Sequence, residues 1–104
     1  MGLDIAFNRD KAIAAGIKQT TIRNGSDGDI ARAEADEADG MPNQPGYLDW
    51  LYAKEPCVRV PGMEHWVEDN GGGDNIVVRA NKWGHTYAPL TQWLKANNIE
   101  WDEF

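Results

Sequence analysis

Asn75-Ile76-Val77-Val78-Arg79-Ala80 is a β-branched run that follows the cluster Gly71-Gly72-Gly73, and its composition specifies a strand. After the polar turn Asn81-Lys82-Trp83-Gly84-His85, Leu90, Trp93, Leu94 and Asn97 fall at i, i+3, i+4 and i+7. That spacing predicts an amphipathic helix. Pro89 suits its first turn, where a missing N–H has no intrahelical acceptor to lose. Asn97-Asn98 is a natural stop, since Asn tolerates the left-handed conformation. Ile99 and Trp101 alternate with Glu100 and Asp102, as in a strand with one buried face. Asn75 to Trp101 therefore reads as strand, helix, strand, and is expected to hold much of the core.

Outward from this stretch, Gly2 to Phe7 predicts a first strand. Asn8 or Asp10 can cap a short helix over Lys11 to Ala15, with Gly16 as its stop. Thr20, Thr21 and Ile22 favour a second strand within Ile17 to Arg23. Asp29 to Asp39 is alanine-rich, and Asp27 and Asp29 suit a helix N-terminus. Its second half is acidic where the macrodipole disfavours negative charge, so a short, exposed or partly frayed helix is expected. Gly40 to Gly46 is a loop. The spacing of Leu48, Leu51 and Tyr52 favours a helix, although the aromatic content also suits a strand. Val58 and Val60 belong to a short strand ended by Pro61-Gly62, and Met63 to Glu68 predicts another. Asp69 to Asp74 reads as a hairpin connection into Ile76-Val77-Val78. The expectation is a single α+β domain over residues 1–104, with a small, mostly antiparallel sheet and two to four short helices.

Charge excludes several functions. Of a net −7, residues 24–53 contribute one base and seven acids, a balance of −6. Nucleic acid and anionic lipid are bound chiefly through Lys and Arg, so direct binding to either is disfavoured. A basic protein surface is the better-matched partner. No apolar stretch approaches ~18 residues, which predicts no membrane span. With Cys57 as the sole cysteine, no internal disulfide forms, in keeping with a reducing cytoplasm.

The chemical motifs are sparse, and no cofactor is implied. Gly71-Gly72-Gly73 precedes a strand, unlike a P-loop, and is expected to be a flexible turn. No frame of the acidic run meets the requirements of an EF-hand. Cys57, His65 and His85 match no compact zinc template, and a lone Cys beside Val58 suits a core position. Lys82 to Tyr87 is a candidate contact loop through Trp83, His85 and Tyr87, because aromatics dominate interface hot spots. The competing expectation is that Trp83 and Tyr87 fold back over the sheet; Trp66 and Trp101 are expected in the core. The candidate partner-binding residues are Asp27, Asp29, Glu34, Asp36, Glu37 and Asp39, a negative field that can imitate phosphates before a basic groove.

The opening Met1-Gly2-Leu3-Asp4-Ile5 resembles the start of small phage- and prophage-encoded proteins of unknown function. The resemblance implies a bacterial or phage-infected host cytoplasm and, by analogy, inhibition of host defence or host nucleic-acid machinery. Together these readings lead to a binding or inhibitory protein without intrinsic catalysis. The alternatives are a small hydrolase or metal-dependent enzyme using His65 or His85 with Asp or Glu, and a self-associating assembly protein.

Overall fold

The computed structural model describes residues 2–104, so Met1 of the opening motif lies outside the described residues. The fold is α+β. Its elements in chain order are β1 (Gly2–Asn8), α1 (Arg9–Ala15), β2 (Lys18–Arg23), α2 (Asp27–Ala38), α3 (Tyr47–Tyr52), β3 (Lys54–Arg59), β4 (Val67–Glu68), β5 (Asn75–Asn81), α4 (Tyr87–Ala96) and β6 (Trp101–Glu103). The strands divide into two three-stranded sheets, ordered β5-β1-β6 and β2-β3-β4. Two compact units are distinguished, Thr21–Glu55 and the remainder.

In the larger unit the predicted strand, helix and strand are present as β5, α4 and β6, but the two strands do not pair with each other. Both run antiparallel to β1, which lies between them with Phe7 opposite Ile76 on one side and Trp101 on the other. β5 and β6 are thus parallel, joined across β1 by α4, as in a split βαβ unit. Ile5 and Phe7 of β1 face the same core as Ile76, Val78, Ala80, Leu90, Leu94 and Ile99. Asn98 adopts a φ of 57° just beyond α4, in the left-handed region expected for the stop. Asn8 caps α1 by accepting from the Lys11 N–H, and Gly16 ends it at a φ of 108°. The buried core is aliphatic apart from Phe7. Of the tryptophans expected inside it, Trp101 is half-buried and packs against it, whereas half-buried Trp66 lies 4.7 Å beneath the Arg59 guanidinium.

The expected hairpin from β4 into β5 does not form. β4 pairs with β3, with Cys57 opposite Glu68 and Val58 opposite Val67, while β5 pairs with β1. At Val77 the place of a β4 partner is taken by the connection itself. Asn70 N–H donates to the Val77 carbonyl at 2.8 Å, and the Val77 N–H donates to the Asp69 carboxylate at 3.2 Å.

Asp69 is buried and paired with Arg9 at 2.8 Å. The Arg9 guanidinium also donates to the carbonyls of Gly73 at 2.7 Å, Asn75 at 3.0 Å and Gly71 at 3.5 Å, and to Gln19 Oε1 at 3.0 Å. Gly71 and Gly73 therefore turn their carbonyls to the half-buried Arg9 cation, and the segment is not a free turn. A Cβ on Gly71 would stand 2.4 Å from the Asn75 carbonyl oxygen, so the approach excludes any side chain there.

In the Thr21–Glu55 unit, Ser26 caps α2 by accepting from the Asp29 N–H at 3.1 Å. Ile30 and Ala33 bury against Leu51, with Leu48 packed alongside. Gly25 permits close passage of the chain, because a Cβ would stand 2.7 Å from Leu51 Cδ2. α2 is largely exposed, as expected, yet it continues through the acidic residues to Ala38. Asn43 closes over its C-terminal half by donating to the Ala33 carbonyl at 2.9 Å and to Glu37, and Tyr52 donates to Glu34.

Asp69→Ala leaves the Arg9 charge and two backbone N–H groups without their acceptor, so a loss of about 3 kcal/mol is expected in urea unfolding. Gly71→Ala is expected to cost at least about 1–3 kcal/mol through overpacking. Exposed Glu68→Gln should stay within about 0.5 kcal/mol of the parent.

Candidate functional site

The six acidic candidates share α2 and its C-terminal cap, but the structure divides them by what they touch. Asp27 pairs with Arg23, Glu34 accepts from the Tyr52 hydroxyl, and Glu37 accepts from the Asn43 backbone N–H at 3.2 Å. These three carboxylates help to hold the unit together. Asp29, Asp36 and Asp39 form no ion pair among the described residues. Asp29 and Asp36 stand seven residues apart, two turns along one helix face. They line a cavity of about 200 Å³ with Arg32, Ala33, Asn43 and Tyr47.

Beside this row lies a surface that sequence reasoning missed. Tyr47, Trp50 and Tyr52 of α3 are all exposed, Trp50 by 53%. The Tyr47 and Trp50 rings stack with centroids 6.4 Å apart and planes 15° from parallel. A signal was available in the sequence. A helix as short as Tyr47–Tyr52 has one buried stripe, and Leu48 and Leu51 already occupy it.

The aromatic loop after β5 splits the two expectations made for it. Trp83 does not fold back: it is 92% exposed, on a turn in which the Asn81 side chain and carbonyl accept from the Trp83 and Gly84 N–H groups at 3.0 and 2.8 Å. Tyr87 does fold back, packing against the core and donating to Glu103 at 2.8 Å. The Trp101 indole also donates to Glu103, at 3.0 Å, and Lys82 stands 3.9 Å away. The Trp101 bond first, then the Tyr87 bond and the Lys82 charge, hold the Glu103 carboxyl below its ordinary 4.5, against a smaller opposing effect of desolvation. The Tyr87 hydroxyl is raised, chiefly because it donates to Glu103. His85 is exposed and faces a different feature.

That feature is a cavity of about 360 Å³ lined by Met63, Glu64, His65, His85, Thr86, Pro89 and Gly62. Both histidines and a carboxylate, from segments about twenty residues apart, thus share one concave surface. Cys57 does not line it and is half-buried in β3. Among the described residues, no three or more His, Cys, Asp or Glu side chains are arranged to hold a metal ion. No helix of the described residues is long and apolar enough to cross a membrane. No known protein family, curated protein or solved structure matches the chain.

Because the Glu103 carboxyl is depressed in the folded state, its stabilising contribution is fully present above the unfolded value and is lost as pH falls through the folded one. Glu103→Gln should therefore melt below the parent at about pH 7, and the gap should narrow at about pH 3. A gap of equal size at both pH values would show that the carboxylate charge is not involved.

Proposed function

We propose that this chain is a non-catalytic binding protein whose Thr21–Glu55 unit engages a basic surface of another protein, of the kind that handles nucleic acid or serves host defence. The observation that carries the reading is the state of Asp29, Asp36 and Asp39, which form no ion pair among the described residues in a unit of eight acids and three bases. Carboxylates without an ion pair keep their charge available to a partner. The resemblance of the opening residues to small phage proteins is in keeping with an inhibitory role in a bacterial cytoplasm.

The test is capture of a partner from bacterial lysate at about 0.05 and about 0.5 M salt, repeated with Asp29→Asn, Asp36→Asn and Asp39→Asn combined. Capture is expected to fade at high salt. The variant is expected to bind about tenfold more weakly, if each lost pair contributes about 0.5 kcal/mol, with only a small fall in melting temperature from the lost Asp29 charge at the N-terminus of α2. Capture indifferent to both changes would remove the acidic helix from the mechanism.

One observation favours a second reading: His65, His85 and Glu64 line the same cavity, whose volume falls in the range of small-ligand sites. An imidazole with a neighbouring carboxylate can serve as general base for hydrolysis. Under this reading the protein hydrolyses activated esters faster than free imidazole at equal concentration, and His65→Gln or His85→Gln lowers the rate. A rate at the imidazole background, unaltered by either substitution, would eliminate it.

A further inference from the structure

We propose that the exposed aromatic face of α3, with the cavity beside it, receives an arginine side chain of the partner. The inference rests on the reading that this unit binds a basic surface, and it names the residue type that the surface must present.

The cavity of about 200 Å³ offers the carboxylates of Asp29 and Asp36, the side chain of Asn43 and the Tyr47 ring. Asn43 Nδ2 is committed to the Ala33 carbonyl at 2.9 Å and to Glu37 at 3.3 Å, which leaves its Oδ1 as a further acceptor. The Tyr47 ring is held by its stack on Trp50, and at the other end of α3 the Tyr52 hydroxyl bonds Glu34. Because Tyr47 itself lines the cavity with Asp29 and Asp36, the Tyr47–Trp50 pair of α3 borders the acidic row of α2.

Acceptors beside an exposed ring suit a guest that is cationic, rich in donors and flat. A guanidinium meets all three requirements, since it stacks on aromatic faces and presents a planar fork to carboxylates. An ammonium is a compact and more strongly hydrated charge that gains less from the ring. A second copy of the chain is disfavoured because the Thr21–Glu55 unit of each copy carries −5, and nucleic acid is disfavoured by its phosphates. Arg32 lines the same cavity, yet makes no ion pair with Asp29 or Asp36 among the described residues. It is a resident cation that an incoming arginine has to displace or avoid.

Oligo-arginine and oligo-lysine peptides of equal length, titrated calorimetrically into the full chain at one salt concentration, separate this inference from general charge attraction. Arginine peptide is expected to bind about three- to fivefold more tightly, the increment of one exposed cation–π contact. Tyr47→Leu should abolish that preference and leave oligo-lysine binding unchanged, whereas Arg32→Gln should tighten arginine binding. Trp50→Leu, which releases the Tyr47 ring from its stack, serves as a second reading of the same surface. Equal affinity for the two peptides, or a preference that survives both Tyr47→Leu and Trp50→Leu, would overturn the arginine site while leaving the acidic-surface reading in place. Binding of neither peptide would overturn both. A concentration-dependent dimer abolished by Trp50→Leu would assign the aromatic face to self-association and overturn the inference.

Discussion

The larger unit depends on one ion pair, between half-buried Arg9 and buried Asp69. Arg9 opens α1 directly after β1, and Asp69 ends the strand pairing of β4, so their contact fixes where the first sheet's central strand stops and where the connection to β5 begins. A carboxylate this deeply buried is costly unless its lone pairs are met. Here Arg9, Gly71 N–H and Val77 N–H meet them, at 2.8, 2.9 and 3.2 Å. The guanidinium in turn donates to the carbonyls of Gly71 and Gly73 in the glycine-rich connection and of Asn75 at the start of β5. The pair thus replaces the hydrogen bonds that a hairpin would have supplied and lets β4 and β5 belong to different sheets.

Local patterns were readable wherever one residue's chemistry decides the backbone. Asn8 as a cap, Gly16 and Asn98 as stops, and the Leu90–Leu94 stripe of α4 all behave as their side chains require. The placement of β1 between β5 and β6 was not readable, because alternation in Ile5 and Phe7 specifies a buried face and says nothing of which strands flank it. The Asp69 node was hidden for a similar reason. Arg9 and Asp69 are sixty residues apart, and each looked like an ordinary surface charge in a chain with seventeen acids. The glycine cluster reads in sequence as a flexible hairpin turn, whereas in the fold no hairpin forms and the Gly71 and Gly73 carbonyls accept from the Arg9 guanidinium.

The acidic run was visible from composition, whereas its internal division was not. Asp27, Glu34 and Glu37 are joined to Arg23, Tyr52 and Asn43, and the contacts of Glu34 and Glu37 support the acidic half of α2 against its dipole. Period and charge could not separate them from Asp29, Asp36 and Asp39, since the distinction lies in what α3 and the loop before it bring alongside. The histidines illustrate the same limit. Only the folded chain brings His65 and His85 to one cavity.

The composition of the Thr21–Glu55 unit argues that its surface is kept for something other than stability. Its core contains Ile30, Ala33 and Leu51 with Leu48 at the margin, which is little apolar area for two helices. A large side chain moved from water into such a core contributes about 1.5–3 kcal/mol. Tyr47, Trp50 and Tyr52 are the nearest reserves of that kind, and all three remain outside. Two of them stack on each other and the third bonds an acidic residue, so the rings are ordered in their exposed positions. Ordering aromatic rings at the surface costs conformational entropy and leaves apolar area in water. Beside carboxylates that form no ion pair among the described residues, that arrangement is what the proposed arginine-bearing partner would engage.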